Sequence, residues 1–129
     1  MTVVLWCLLA AAVMPILLAI SGAYMRTAQT GSFDNNNPRE QIKELTGTAA
    51  RFYAAQQNAW EALAVFTAAV VSAWITQADM NTAANLAVAF LVFRVLHAVF
   101  YIADLAALRS LAFMGGTFSA VWLFVSGLI

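Results

Sequence analysis

Four long apolar stretches divided by polar segments lay out the chain, at about residues 2–25, 49–75, 83–105 and 109–128. Each approaches or exceeds the ~20 residues that a helix needs to cross a bilayer. The first is broken only by Pro15, which spanning helices tolerate. The pattern predicts an all-α integral membrane protein, a single four-helix bundle. The start Met1-Thr2-Val3-Val4 has no basic region, so the first run is expected to be a spanning helix and not a cleaved leader.

The long polar segment, 26–48, has structure of its own. Asn37-Pro38-Arg39-Glu40 reads as an N-cap, a proline at the first helical position and a capping-box acid, so a short helix is expected over about Pro38–Leu45 with Gly47 as its stop. Gln77–Thr82 is a short turn, and Gly115-Gly116 inside the fourth span points to close helix packing.

The third span carries a polar stripe. Arg94, His97, Tyr101 and Asp104 step by three, four and three, which places them on one helical face. An arginine near mid-membrane costs roughly 2.5–3.5 kcal/mol on insertion scales, so Arg94 must meet a partner, a cavity or a ligand. On the second span Arg51, Asn58 and Glu61 share a face. Counting depth at about 1.5 Å per residue along two antiparallel helices sets Glu61 level with Arg94, Asn58 with His97 and Arg51 with Asp104. A buried Glu61–Arg94 ion pair is expected from that match. Such rungs either fix helix register or line a polar cavity that opens to the cytoplasm and takes a polar or anionic molecule.

Composition narrows the function. Hydrophobic residues make up 64% of the 129 residues and charged ones 9%, far from the soluble norm. Net charge is zero with no basic tract, so nucleic-acid binding has no electrostatic support. One cysteine, Cys7, and one histidine exclude an intrachain disulfide and a zinc cluster, and no metal is expected. Arg26, Arg39, Lys43, Arg51 and Arg109 cluster in or beside the first and third loops. Those loops are therefore expected to be cytoplasmic, with both termini outward.

Arg51-(x)6-Asn58-x-x-Glu61, Arg94-Val-x-His97-(x)3-Tyr101 and Arg109-Ser110 together resemble the MAPEG family, the membrane-associated proteins of eicosanoid and glutathione metabolism. Asp34-Asn-Asn-Asn-Pro38-Arg39 and Ala54-Ala-Gln-Gln-Asn58 look like the bacterial branch, which implies a bacterial inner membrane. The resemblance implies a homotrimer in membrane lipid, with glutathione held between subunits near the cytoplasmic side. It implies glutathione contacts for Asn58, Glu61, His97 and Tyr101, a pocket floor at Arg94, and further contacts from Arg51, Gln57 and Arg26. Arg109 looks like the arginine that stabilises the thiolate, with Ser110 beside the sulfur. Two positions depart from the pattern. Glutathione-using members commonly have arginine where Gln57 stands, and prostaglandin E synthase has a tyrosine where this chain has Phe113.

The resemblance implies a membrane-bound glutathione transferase or peroxidase acting on a lipophilic electrophile or lipid hydroperoxide. A noncatalytic lipid-binding or scaffold trimer of the same fold is the alternative, and Gln57 and Phe113 favour it. Each residue also has a structural role open to it: His97 as an interhelical hydrogen-bonding group, Tyr101 as an interfacial anchor, Arg109 as a topology determinant.

Overall fold

The computed structural model describes all of residues 1–129 and contains helices and turns without strands. Helix α1 spans Thr2–Thr30, α2 Pro38–Lys43, α3 Gly47–Ile75, α4 Met80–Ile102 and α5 Ala106–Val125. All but α2 are long and apolar enough to cross a membrane. At 29 residues α1 is about 43 Å long, more than the ~30 Å hydrocarbon thickness, so one or more polar end turns of that helix reach beyond it.

The long helices form an antiparallel bundle in which α3 packs against α1, α4 and α5, while α4 and α5 pack most closely together. Between helices in lipid the hydrophobic effect offers little, so association depends on close packing. Alanines accordingly occupy most of the buried hydrophobic positions, among them Ala11, Ala55, Ala59, Ala69, Ala73, Ala83, Ala87 and Ala120. Phe66 and Phe90 fill the centre as a stacked pair with ring centroids 4.0 Å apart. The two glycines of α5 lie where α4 comes closest. A Cβ on Gly115 would stand 2.7 Å from the Phe93 ring, and one on Gly116 would stand 3.1 Å from Arg94 Cδ.

Helix ends explain where the observed elements depart from the apolar pattern. The third span, expected over 83–105, runs from Met80 to Ile102. Asp79 caps its start, accepting from the Thr82 N–H at 2.8 Å. Its end is a left-handed turn at Asp104, φ +63°, with the Leu105 N–H bonded to the Phe100 carbonyl at 2.9 Å. Asp104 has therefore left the helix and its stripe. The carboxylate nevertheless meets Arg51 at 2.5 Å, because the turn carries it across to the start of α3.

In the polar loop α2 begins at Pro38 as expected but ends at Lys43, and no capping box forms. The Asn37 N–H that Glu40 would have to accept from is already bonded to Asp34 Oδ1 at 2.9 Å. Glu40 pairs instead with Lys43 at 2.8 Å. Gly47, at φ +55°, opens α3 and does not close α2.

Candidate functional site

Three helices bring the polar residues together. Asn58 comes from α3, Arg94, His97 and Tyr101 from α4, and Arg109, Ser110 and Phe113 from the first turns of α5. Steps of three and four along α4 keep its three residues on the face that meets α3 and α5.

Arg94 is the buried centre, only 2% exposed. Its Nη2 donates to the Asn58 side-chain carbonyl, to the Asn58 backbone carbonyl at 3.4 Å, and lies 3.4 Å from His97 Nδ1. A guanidinium has only protons to offer, so His97 Nδ1 is the acceptor there and the ring carries its proton on Nε2. The expected Glu61–Arg94 ion pair is not present: Glu61 forms no salt bridge and is exposed on α3. Counting rises along ideal parallel axes ignores both helix crossing and the reach of an arginine side chain. Arg94 uses that reach to bond Asn58, about one turn nearer the N-terminal end of α3 than Glu61.

Two cavities adjoin this cluster. The outer one, about 310 Å³, is lined by Asn58, His97, Tyr101, Arg109, Ser110 and Phe113 together with Met114. The inner one, about 180 Å³, lies among Asn58, Glu61, Phe90, Arg94, Phe113 and Thr117. Asn58 and Phe113 belong to both walls. Arg109 lies over the Tyr101 ring, Cζ 4.5 Å from its centroid, and has no carboxylate partner. The His97 ring meets Tyr101 edge-on at 5.6 Å. The outer cavity thus has a cation and five uncharged polar or aromatic neighbours but no carboxylate in its wall. An anion in that space is electrostatically favoured.

A scan of protein-family models matches the chain to the MAPEG family over residues 3–129. The chain belongs to the MAPEG family. No curated protein and no solved structure matched it. Membership makes it a membrane protein of the family named for eicosanoid and glutathione metabolism.

Within this MAPEG chain the residues singled out by resemblance separate into groups. Asn58, His97, Tyr101, Arg109 and Ser110 surround the outer cavity, and Glu61 and Arg94 the inner one. Arg51 is held by Asp104. Gln57 is exposed and lines neither cavity. Arg26 lies in a separate chamber between α1, α2 and α3. The Ser110 hydroxyl donates to the Ala106 carbonyl at 3.0 Å. Sequence reasoning passed over Phe90, Met114 and Thr117. For Thr117 a signal existed, since 109, 113 and 117 step by four along one face of α5.

The donor set suits glutathione chemically. Arginines at 94 and 109 match carboxylate or thiolate, Glu61 matches an ammonium, and the buried Arg94 Nε has no partner within the chain. The outer cavity is at the low end of the ~300–1,000 Å³ range typical of small-molecule sites.

Proposed function

We propose that this protein is a membrane-bound glutathione-dependent transferase or peroxidase that works as a homotrimer, with the α4–α5 turn and the long first loop on the cytoplasmic side. The observation that carries the reading is Arg109: a guanidinium with no ion-pair partner, stacked on Tyr101 and bordering a cavity without a carboxylate. Bound glutathione supplies a thiol of unperturbed pKa about 8.5, whose reactive form is the anion. Arg109 favours that anion at neutral pH. Ser110 rotates its proton from the Ala106 carbonyl toward the sulfur. Asn58, His97 and Tyr101 orient the peptide, and Glu61 takes its ammonium from the inner cavity. Arg94 fixes Asn58 and His97 in place. Arg51 and Gln57 lie toward the cytoplasmic start of α3, where contacts with peptide carboxylates would form. The acceptor, an apolar electrophile or a lipid hydroperoxide, enters from the bilayer.

The alternative, a noncatalytic lipid-binding or scaffold trimer, draws support from Phe113. Its ring, without a hydroxyl, stands in the wall of both cavities.

Calorimetry of glutathione with the detergent-solubilised protein separates the two readings. Saturable binding weakened by Glu61→Gln is the expected result. Turnover with a lipophilic electrophile should then fall about 10²–10³-fold in Arg109→Ala, on the scale of removing one group that stabilises developing negative charge. The pH–rate midpoint should move up toward about 8.5 in the same variant. Absence of binding at millimolar glutathione would move the assignment to the noncatalytic class.

A further inference from the structure

Only residues 103–105 separate α4 from α5, and the corner they make is well bonded. The Leu105 N–H reaches back to the Phe100 carbonyl at 2.9 Å and the Asp104 N–H to the Tyr101 carbonyl at 3.3 Å, the paired bonds of a Schellman ending. That ending needs a left-handed residue, and Asp104 supplies it at φ +63°. Glycine takes this conformation without the penalty that a Cβ brings. Aspartate therefore stands where the backbone alone favours glycine. Its carboxylate meets Arg51 Nη2 at the start of α3 at 2.5 Å.

Stability does not account for the pair. The Asp104 side chain is 64% exposed and that of Arg51 33%, and ion pairs open to solvent add little to folding. A small gain set against the cost of a left-handed side chain gives no advantage over glycine. What the pair adds is direction, because it ties the corner to one point on α3.

That corner lies between the two halves of the stacked Arg109–Tyr101 pair. Tyr101 gives its carbonyl to the Asp104 N–H, and the Arg109 N–H bonds to the carbonyl of Leu105, the residue after Asp104, at 2.9 Å. A rotation at Asp104 therefore swings the first turn of α5 and shifts Arg109 relative to the Tyr101 ring, whose centroid its Cζ overlies at 4.5 Å. Arg109 has no ion pair of its own to resist the shift. Seven residues beyond Arg51, about 10 Å along the same face of α3, Asn58 accepts from Arg94 of α4. The two links bracket the wall formed by Asn58, Tyr101 and Arg109 in the outer cavity.

We propose that Asp104 is a positioning residue for Arg109: paired with Arg51, it fixes the angle at which α5 leaves α4 and so keeps the Arg109 guanidinium in the wall of the outer cavity. This role rests on the transferase or peroxidase reading, in which Arg109 favours the glutathione thiolate.

The test follows the ultraviolet thiolate absorbance of bound glutathione across pH in the detergent-solubilised full-length protein, beside Asp104→Gly, Asp104→Asn and Asp104→Gly combined with Arg51→Gln. Calorimetry and thermal unfolding accompany each titration. Glycine suits φ +63° and abolishes the ion pair, so Asp104→Gly should melt at or above the temperature of the unsubstituted protein. Its glutathione affinity should change less than about threefold, while its thiolate midpoint moves up toward about 8.5 and leaves at least about threefold less thiolate at neutral pH. The sign is decisive. Loss of a carboxylate by itself favours a nearby anion and would move the midpoint down. Asp104→Asn tolerates the left-handed region and keeps an oxygen for Arg51, so it should recover most of the shift. Adding Arg51→Gln to Asp104→Gly should move the midpoint little further, because the pair is already gone. A midpoint in Asp104→Gly that is unmoved or lowered would overturn the role. So would a raised midpoint accompanied by a lower melting temperature and no recovery in Asp104→Asn, since the pair would then only be holding the fold. Absence of glutathione binding to the unsubstituted protein would bring down the transferase or peroxidase reading and this role with it. Binding with a thiolate midpoint indifferent to Asp104→Gly removes the role and leaves that reading standing.

Discussion

Asn58 is the residue on which the buried polar cluster depends. Its side chain is the closest acceptor to Arg94, and Arg94 in turn bonds His97. Replacing it with leucine would leave a buried guanidinium with only weak contacts at 3.4 Å. Removing one partner of a buried charge costs about 3–5 kcal/mol in water-soluble proteins, and interhelical hydrogen bonds in membranes average nearer ~0.6 kcal/mol. Asn58→Leu is therefore expected to lower stability by roughly 2 kcal/mol. Glu61→Gln should change it by under about 0.5 kcal/mol, because Glu61 makes no ion pair. Thermal unfolding in detergent compares the two. A larger loss in Glu61→Gln than in Asn58→Leu would mean that the Glu61–Arg94 pair expected from depth counting exists in the membrane.

At the scale of elements, the helix ends store strain. Gln77 terminates α3 at φ +53°, with the Ala78 N–H bonded to the Ala73 carbonyl at 3.0 Å. A side chain in that conformation costs about 1 kcal/mol that glycine avoids. Gln77→Gly should consequently raise stability by about 0.5–1 kcal/mol, read as a higher melting temperature. The opposite holds at Gly127, where a Cβ would collide with the Thr76 side chain. Gly127→Val should lower the melting temperature, on the ~1–3 kcal/mol scale of overpacking.

The first turn of α4 adds a pH dependence. The Thr82 backbone N–H holds the Asp79 carboxyl below the usual carboxylate range, with the Thr82 side chain assisting. A depressed folded value means that its contribution is complete above the unfolded pKa, about 3.9, and is lost as pH falls through the lower folded one. Amide hydrogen exchange in this turn should therefore stay slow down to about pH 5 and lose protection below about pH 4. Asp79→Ala should remove that acid-dependent step.

For the molecule as a whole, α3 presents Gln57 and Glu61 on an exposed face within a spanning segment. Lipid cannot cover that face cheaply, since an acid at the centre of a span costs roughly 2.5–3.5 kcal/mol on insertion scales. Another copy of the chain, or a water-filled site between copies, would satisfy it. Native mass spectrometry from mild detergent is expected to give trimers. A monomer that still binds glutathione would refute the intersubunit site.

The sequence by itself determined the fold class, because span length and apolar composition are local quantities, and it singled out the polar residues of the spans, because polar groups within an apolar run stand out singly. It also marked Gly115 and Gly116 as a close-packing site. Pairing was decided only in three dimensions. Arg94 prefers Asn58 to Glu61, Asp104 reaches Arg51 from a left-handed turn and not from a helix face, and Glu40 finds Lys43 because Asp34 has already taken the Asn37 N–H. Each choice rests on where helices end and how they cross. Both arise from side chains packing between elements, which a count along one helix does not contain. Arg26 shows the same limit: the packing of α1 against α2 and α3, and not its place in the sequence, buries it.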